Sequence, residues 1–173
     1  MKMKFNTLCI TIGLIVGIIV SVLVVRSMNK DGKVKTQYDE RQQAVRGKAY
    51  KYGFFGVIIS NVIMMVVSTC VDVSIFGLSL FFLPIFAGIV TQVSYSIFND
   101  GYIGLNTNMK KYIIIMIIVS LINAFYAVMT LVSGEMIVDG VLSDTFINAL
   151  CALLFIIIAG ELIVKKCIDG RSE

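Results

Sequence analysis

Tyr38-Asp39-Glu40-Arg41-Gln42-Gln43-Ala44-Val45-Arg46-Gly47-Lys48-Ala49-Tyr50-Lys51-Tyr52-Gly53-Phe54-Phe55 is the stretch on which the reading of this chain turns. It closes the one long polar passage of an otherwise oily sequence and runs without a break into a hydrophobic segment. A charged helix that continues into an apolar one marks the edge of a membrane near Tyr52. The abundance of Lys and Arg in and before it says which side that edge faces.

Composition agrees. The 173 residues are 58% hydrophobic and only 15% charged, where a soluble domain has roughly 45–50% apolar and about 25% charged residues. Apolar runs at 5–25, 52–71, 76–98, 112–133 and 145–164 are each long enough to cross a hydrocarbon core as a helix. Lipid forces every backbone polar group to be satisfied within its own helix. The expectation is therefore an all-α integral membrane bundle of about five transmembrane helices, a single membrane domain over 1–173, with a basic cytoplasmic helix leading into the second span. The opening Met1-Lys2-Met3-Lys4 resembles the basic start of a signal peptide, but no small-x-small cleavage site follows and Leu8-Cys9 precedes the hydrophobic region, so the first span is expected to be retained.

Charge sets orientation. The 26–51 loop, the 99–111 connection and the tail after 164 hold thirteen of the fifteen basic residues, while the 72–75 and 134–144 connections hold Asp72, Glu135, Asp139 and Asp144 and no base. Cytoplasmic loops retain Lys and Arg. This places the protein in the plasma membrane as a multi-pass chain with its N-terminus outside and its C-terminus cytoplasmic, Lys2 and Lys4 being carried across against their charge. Within the loop, Asp31-Gly32 reads as a turn, and Thr36 with Asp39 resembles a capping box that would start a helix there. On that helix Arg41, Val45, Lys48 and Tyr52 share a face. Arg41, Arg46, Lys48 and Tyr52 are the candidate contacts with a partner or with lipid headgroups.

Chemistry is sparse. There is no histidine, Cys9, Cys70, Cys151 and Cys167 are far apart without CxxC spacing, and no phosphate loop, nucleophile elbow or zinc-protease motif occurs. The expectation is a non-enzyme with no cofactor and no metal. Cys9 and Cys70 would share the outer side, though nothing in their spacing demands a disulfide. The basic loop is explained by topology and anionic lipid, so nucleic acid is not expected as a partner. Gly13, Gly17 and Ser21 form a small-residue stripe suited to helix packing, within the bundle or against a second copy in a homo-oligomer. Glu161, four residues before Lys165, is expected to form an i, i+4 ion pair at the membrane edge. Neutral polar residues lie at depth: Asn61, Thr91, Gln92, Asn123, Tyr126 and Asn148. Hydrogen bonds between helices are their commonest role, and Pro84 in the third span is expected to kink it.

The D-E-R-Q element at Asp39-Glu40-Arg41-Gln42, followed by R-G-K-x-x-K-Y at Arg46-Gly47-Lys48-Ala49-Tyr50-Lys51-Tyr52, resembles a group of uncharacterised small multi-span membrane proteins of Gram-positive bacteria. The resemblance covers about a tenth of the chain, the loop and the start of the second span. It implies a signalling or accessory role and no known activity. Two functional readings follow. In the first, the protein is a regulatory, immunity or transporter-accessory subunit whose cytoplasmic basic helix contacts a protein partner or the lipid bilayer. The alternative is a membrane-embedded binding or transport subunit holding a small neutral solute among Asn61, Gln92, Asn123 and Asn148.

Overall fold

The computed structural model describes residues 2–170, with side chains described from Ile15 onward and at Ile12. Five helices follow one another: α1 (Lys2–Met28), α2 (Glu40–Cys70), α3 (Ser79–Phe98), α4 (Met109–Val132) and α5 (Phe146–Asp169). Each from α2 to α5 is long and apolar enough to cross a membrane, and the described apolar part of α1 is Ile15–Met28. Their outer surfaces are oily, with Phe54, Phe81, Leu121, Phe125 and Leu131 exposed by 62 to 70%. Such a surface would drive association in water. Against acyl chains it is at home, and the chain is an all-α membrane bundle.

The start of α2 corrects one expectation. Its capping box is Asp39 with Gln42, not Thr36 with Asp39: the Asp39 carboxylate accepts from the Gln42 N–H at 2.6 Å, and the Gln42 side chain accepts from the Asp39 N–H at 3.4 Å. A box needs a carboxylate or hydroxyl at the cap and Glu or Gln three residues on; Asp39 and Gln42 meet that rule, and Thr36 is packed elsewhere. From this cap α2 runs 31 residues without interruption, about 46 Å at 1.5 Å per residue. That exceeds the roughly 30 Å hydrocarbon core, so the polar first turns stand outside it.

In space α3 is central. One face packs on α2 and another on α5, which in turn packs on α4; the main helix contact of α1 is with α4. Lipid is as apolar as a leucine side chain, so membrane helices gain contact through close backbone approach at small residues. Gly53 and Gly88 provide it between α2 and α3: a Cβ on Gly88 would fall on Val57 Cγ2 and 2.9 Å from the Gly53 carbonyl. The apolar core lies instead between α3, α4 and α5, around Val93, Ile97, Met116, Leu154, Ile158 and Leu162.

At one end the connections carry short regular elements. A 3-10 turn, Ser74–Phe76, leads into α3, and a hairpin of β1 (Ile137–Val138) and β2 (Val141–Leu142) joins α4 to α5. Asp139 and Gly140 both have positive φ, 52° and 80°, as a type I′ turn requires, and Asp-Gly is a favoured pair for it. The α1–α2 and α3–α4 connections meet at the opposite end.

Candidate functional site at the basic end of the bundle

Two segments distant in sequence, 26–39 and 99–108, are bonded into one surface. The Lys30 N–H donates to the Asn106 carbonyl at 2.6 Å, the Leu105 N–H to the Gln37 carbonyl at 2.9 Å, and the Asn108 N–H to the Met28 carbonyl at 2.9 Å. Asn106 is the node. Its side-chain oxygen accepts from the Gln37 N–H at 2.9 Å, and its amide nitrogen donates to Asp31 at 3.1 Å and to the Lys35 carbonyl at 3.1 Å. Asn29 and Thr107 add a second, buried link, with the Thr107 hydroxyl donating to Asn29 Oδ1 at 2.9 Å and the Asn29 amide to the Lys33 carbonyl at 2.7 Å. Gly104 lets the segments touch, since a Cβ there would meet the Thr36 methyl and stand 2.9 Å from the Gln37 carbonyl. Asp31-Gly32 makes the expected turn, Gly32 at φ 64° and the Lys33 N–H donating to Asp31 Oδ1 at 3.1 Å.

Helix ends are tied to this surface through Asp100. Its carboxylate lies 3.1 Å from Arg41 at the start of α2 and 2.9 Å from Lys165 near the end of α5, and Lys165 also reaches Asp169 at 2.8 Å. The Gln42 side chain donates to the Asp100 and Ile103 carbonyls at 3.0 and 3.1 Å. The hydrogen bond from Lys165, opposed next by burial and then reinforced by Arg41, holds the Asp100 carboxyl below its ordinary value. Asp31 is held low by the Lys33 N–H and then by the Asn106 amide.

Beside the surface is a cavity of about 230 Å³ whose walls include Arg46, Tyr38, Tyr102, Tyr112 and Thr107. The Arg46 guanidinium sits 4.0 Å over the Tyr38 ring and donates to the Tyr50 hydroxyl at 3.2 Å. The Tyr102 and Tyr112 hydroxyls are 2.7 Å apart. Burial, then the neighbouring Tyr112, push the Tyr102 hydroxyl far above its ordinary value, so it stays protonated.

The residues singled out from sequence are distributed as follows. Arg41 is in the Asp100 ion pair, Arg46 on Tyr38, and Tyr52 stacks at 4.7 Å on Tyr95 of α3; Lys48 is exposed. Asn61 and Asn123 donate to carbonyls one turn back on their own helices, Val57 and Val119, both at 2.8 Å. Gln92 packs over Gly53, and Asn148 lies half-buried in the first turn of α5. The cavity walls at the basic end include none of these four. Gly17 has open space where a Cβ would go, and the exposed Ser21 hydroxyl bonds back to its carbonyl at 2.8 Å. Gly13 and Cys9 lie outside the residues whose side chains are described. Cys70, Cys151 and Cys167 are free thiols.

Glu161 corrects another expectation. It makes no ion pair with Lys165, which is held by Asp100 and Asp169. Instead Glu161 Oε1 accepts from the Ser94 hydroxyl of α3 at 2.6 Å, and Oε2 is buried without a partner. Asn106, Asp100, Gln42 and the tyrosine pair were not singled out from sequence. A partial signal exists at Asn108, which caps α4 by accepting from the Lys111 N–H at 3.2 Å.

Among the described residues no three His, Cys, Asp or Glu side chains cluster as metal ligands. Comparison with protein-family models, with curated proteins and with solved structures finds no match to this chain.

Proposed function

We propose that the protein is a non-catalytic accessory or regulatory subunit of the plasma membrane, whose basic end lies in the cytosol and offers a preformed cationic surface to an acidic protein partner. The observation that carries this reading is the fate of the charges at that end. The carboxylates of Asp31 and Asp100 are consumed inside the surface, whereas Lys30, Lys33, Lys35, Lys48, Lys51 and Lys110 are exposed and no ion pair forms with them among the described residues. A surface already held together by its own hydrogen bonds loses little entropy when a partner binds. Its unpaired lysines supply steering and register. The resemblance of the 39–52 stretch to small membrane proteins of Gram-positive bacteria points the same way.

The test is a photo-crosslinking amino acid placed at Lys48 or, as the control, at Val138 on the opposite end, in native membranes. The reading expects a discrete protein adduct from Lys48 that Lys33→Gln, Lys51→Gln and Lys110→Gln together abolish. Equal adducts from both ends, or adducts indifferent to the three substitutions, would remove it.

A further inference from the structure

We infer that the cavity beside Arg46 binds the phosphodiester of an anionic phospholipid, which deepens the reading above by naming a lipid ligand next to the protein-contact surface and rests on the same basic end. The cavity is rich in donors and lacks an anion. Arg46 is half-buried and forms no ion pair among the described residues, and no carboxylate lines the space. Its guanidinium has five N–H donors, of which one is engaged, on Tyr50. The Tyr102–Tyr112 pair brings two hydroxyl hydrogens to one bond, so one is left to donate outward. Tyr38, which also lines the cavity, carries a further hydroxyl. Guanidinium and hydroxyl donors converging on one space match the oxygens of a phosphate.

Position identifies a lipid as the source of that phosphate. Val25 and Met28, the last apolar residues of α1, form part of the wall, and Tyr112 opens the apolar run of α4. Arg46 is six residues before Tyr52 on α2, about 9 Å outward along the helix, at the outer margin of a headgroup layer roughly 5–8 Å deep and within reach of its long side chain. Among the described residues the main helix contact of α1 is with α4. Ile15, Ile18 and Ile19 are consequently exposed on α1, as are Phe54 and Ile58 on α2. Acyl chains have apolar flanks to lie against while the headgroup sits below them. A volume of about 230 Å³ suits a headgroup, being smaller than the roughly 300–1,000 Å³ of pockets for larger organic ligands. Basic pockets between membrane helices are the usual form of such sites.

The experiment uses the full chain in nanodiscs of phosphatidylcholine, with and without phosphatidylglycerol, read by thermal unfolding and by lipid retention in native mass spectrometry. Phosphatidylglycerol is expected to raise the melting temperature and to be retained. Arg46→Gln is expected to weaken retention roughly tenfold or more, and Lys166→Gln, an exposed cation outside the cavity, to leave it unchanged. Because Arg46 also stacks on Tyr38, a second variant is needed: Tyr38→Phe keeps the ring under the guanidinium, removes the free hydroxyl and is expected to lose part of the response. Equal responses from Arg46→Gln and Lys166→Gln, or wild-type retention in both Arg46→Gln and Tyr38→Phe, would overturn the site. The same stabilisation by inorganic phosphate in phosphatidylcholine alone would overturn the lipid assignment. Crosslinking at Lys48 is scored separately: absence of a protein adduct in the otherwise unsubstituted chain, with lipid retention intact, removes the partner-surface reading and supports the lipid site.

Discussion

Lys165, one turn from the end of α5, holds its ammonium 2.9 Å from the carboxylate of Asp100, in the connection that follows α3. Through that contact and the one with Arg41, a single carboxylate joins the ends of three helices. Its cations keep Asp100 below the ordinary carboxylate value of 3.8, so the folded chain takes up this proton less readily than the unfolded one. The stabilisation is full above that ordinary value and is lost as pH falls through the depressed one. Asp100 is 46% exposed, which limits the contribution to under about 1 kcal/mol. Asp100→Asn should lower the melting temperature slightly at neutral pH and flatten the fall seen in the wild type below about pH 4. Parallel wild-type and variant curves in that range would show that the ion pairs do not contribute.

Asn106→Ala should open the loop surface while leaving the helices folded. It removes the bonds to the Gln37 N–H and the Lys35 carbonyl, each worth about 0.5–1.5 kcal/mol. Trypsin should then cleave between Arg26 and Arg41 roughly tenfold faster or more, as the open population rises. Helix content by circular dichroism should not change.

Ser94→Ala and Glu161→Gln should act in opposite directions. Ser94→Ala removes the hydroxyl that serves Glu161 Oε1 and leaves both carboxylate oxygens unpartnered, with a loss of about 1.5–3 kcal/mol. Glu161→Gln replaces a half-buried acid by a neutral amide that still accepts from Ser94, and should be at least as heat-stable as the wild type. Thermal unfolding in one detergent compares them directly.

Gly88→Ala should separate α2 from α3. The added methyl falls on Val57 and close to the Gly53 carbonyl, and a backbone carbonyl cannot rotate aside as a side chain can. Overpacking of this kind costs about 1–3 kcal/mol. A disulfide engineered between the two helices should form more slowly in Gly88→Ala than in the wild type.

Orientation has its own test in the thiols. In an otherwise cysteine-free chain and intact cells, an impermeant maleimide should label Cys70, exposed at the end of α2, and spare a probe introduced as Gln43→Cys. The reverse pattern would place the basic end outside and remove the cytosolic partner.

The bundle was legible because its signals are local and repeated: apolar runs of membrane-spanning length and turns marked by Asp-Gly. The basic end was less so. Glu161 and Lys165 have the spacing of an ion pair along one helix, yet Lys165 is taken by Asp100 from another segment, a competition that spacing cannot show. Thr36 and Asp39 mimic a capping box, while Gln42, which completes the true one, also bonds the Asp100 carbonyl. The Asn106–Gln37 contact has no periodic trace at all, because two irregular segments meet without a repeat. Asp139-Gly140 did carry a readable hairpin signal, hidden among acidic residues that served only to count charge.

Oily neighbours are interchangeable inside a bilayer, so greasy side chains alone give a helix little reason to choose one companion over another. Directional bonding has to make that choice, and it works best where water supplies contrast. The amide of Asn106 sits at that level, bonding Gln37, Asp31 and Lys35 of the facing segment at once. An arrangement of spans fixed there, at the rim, leaves their greasy flanks free to serve whatever lipid surrounds them.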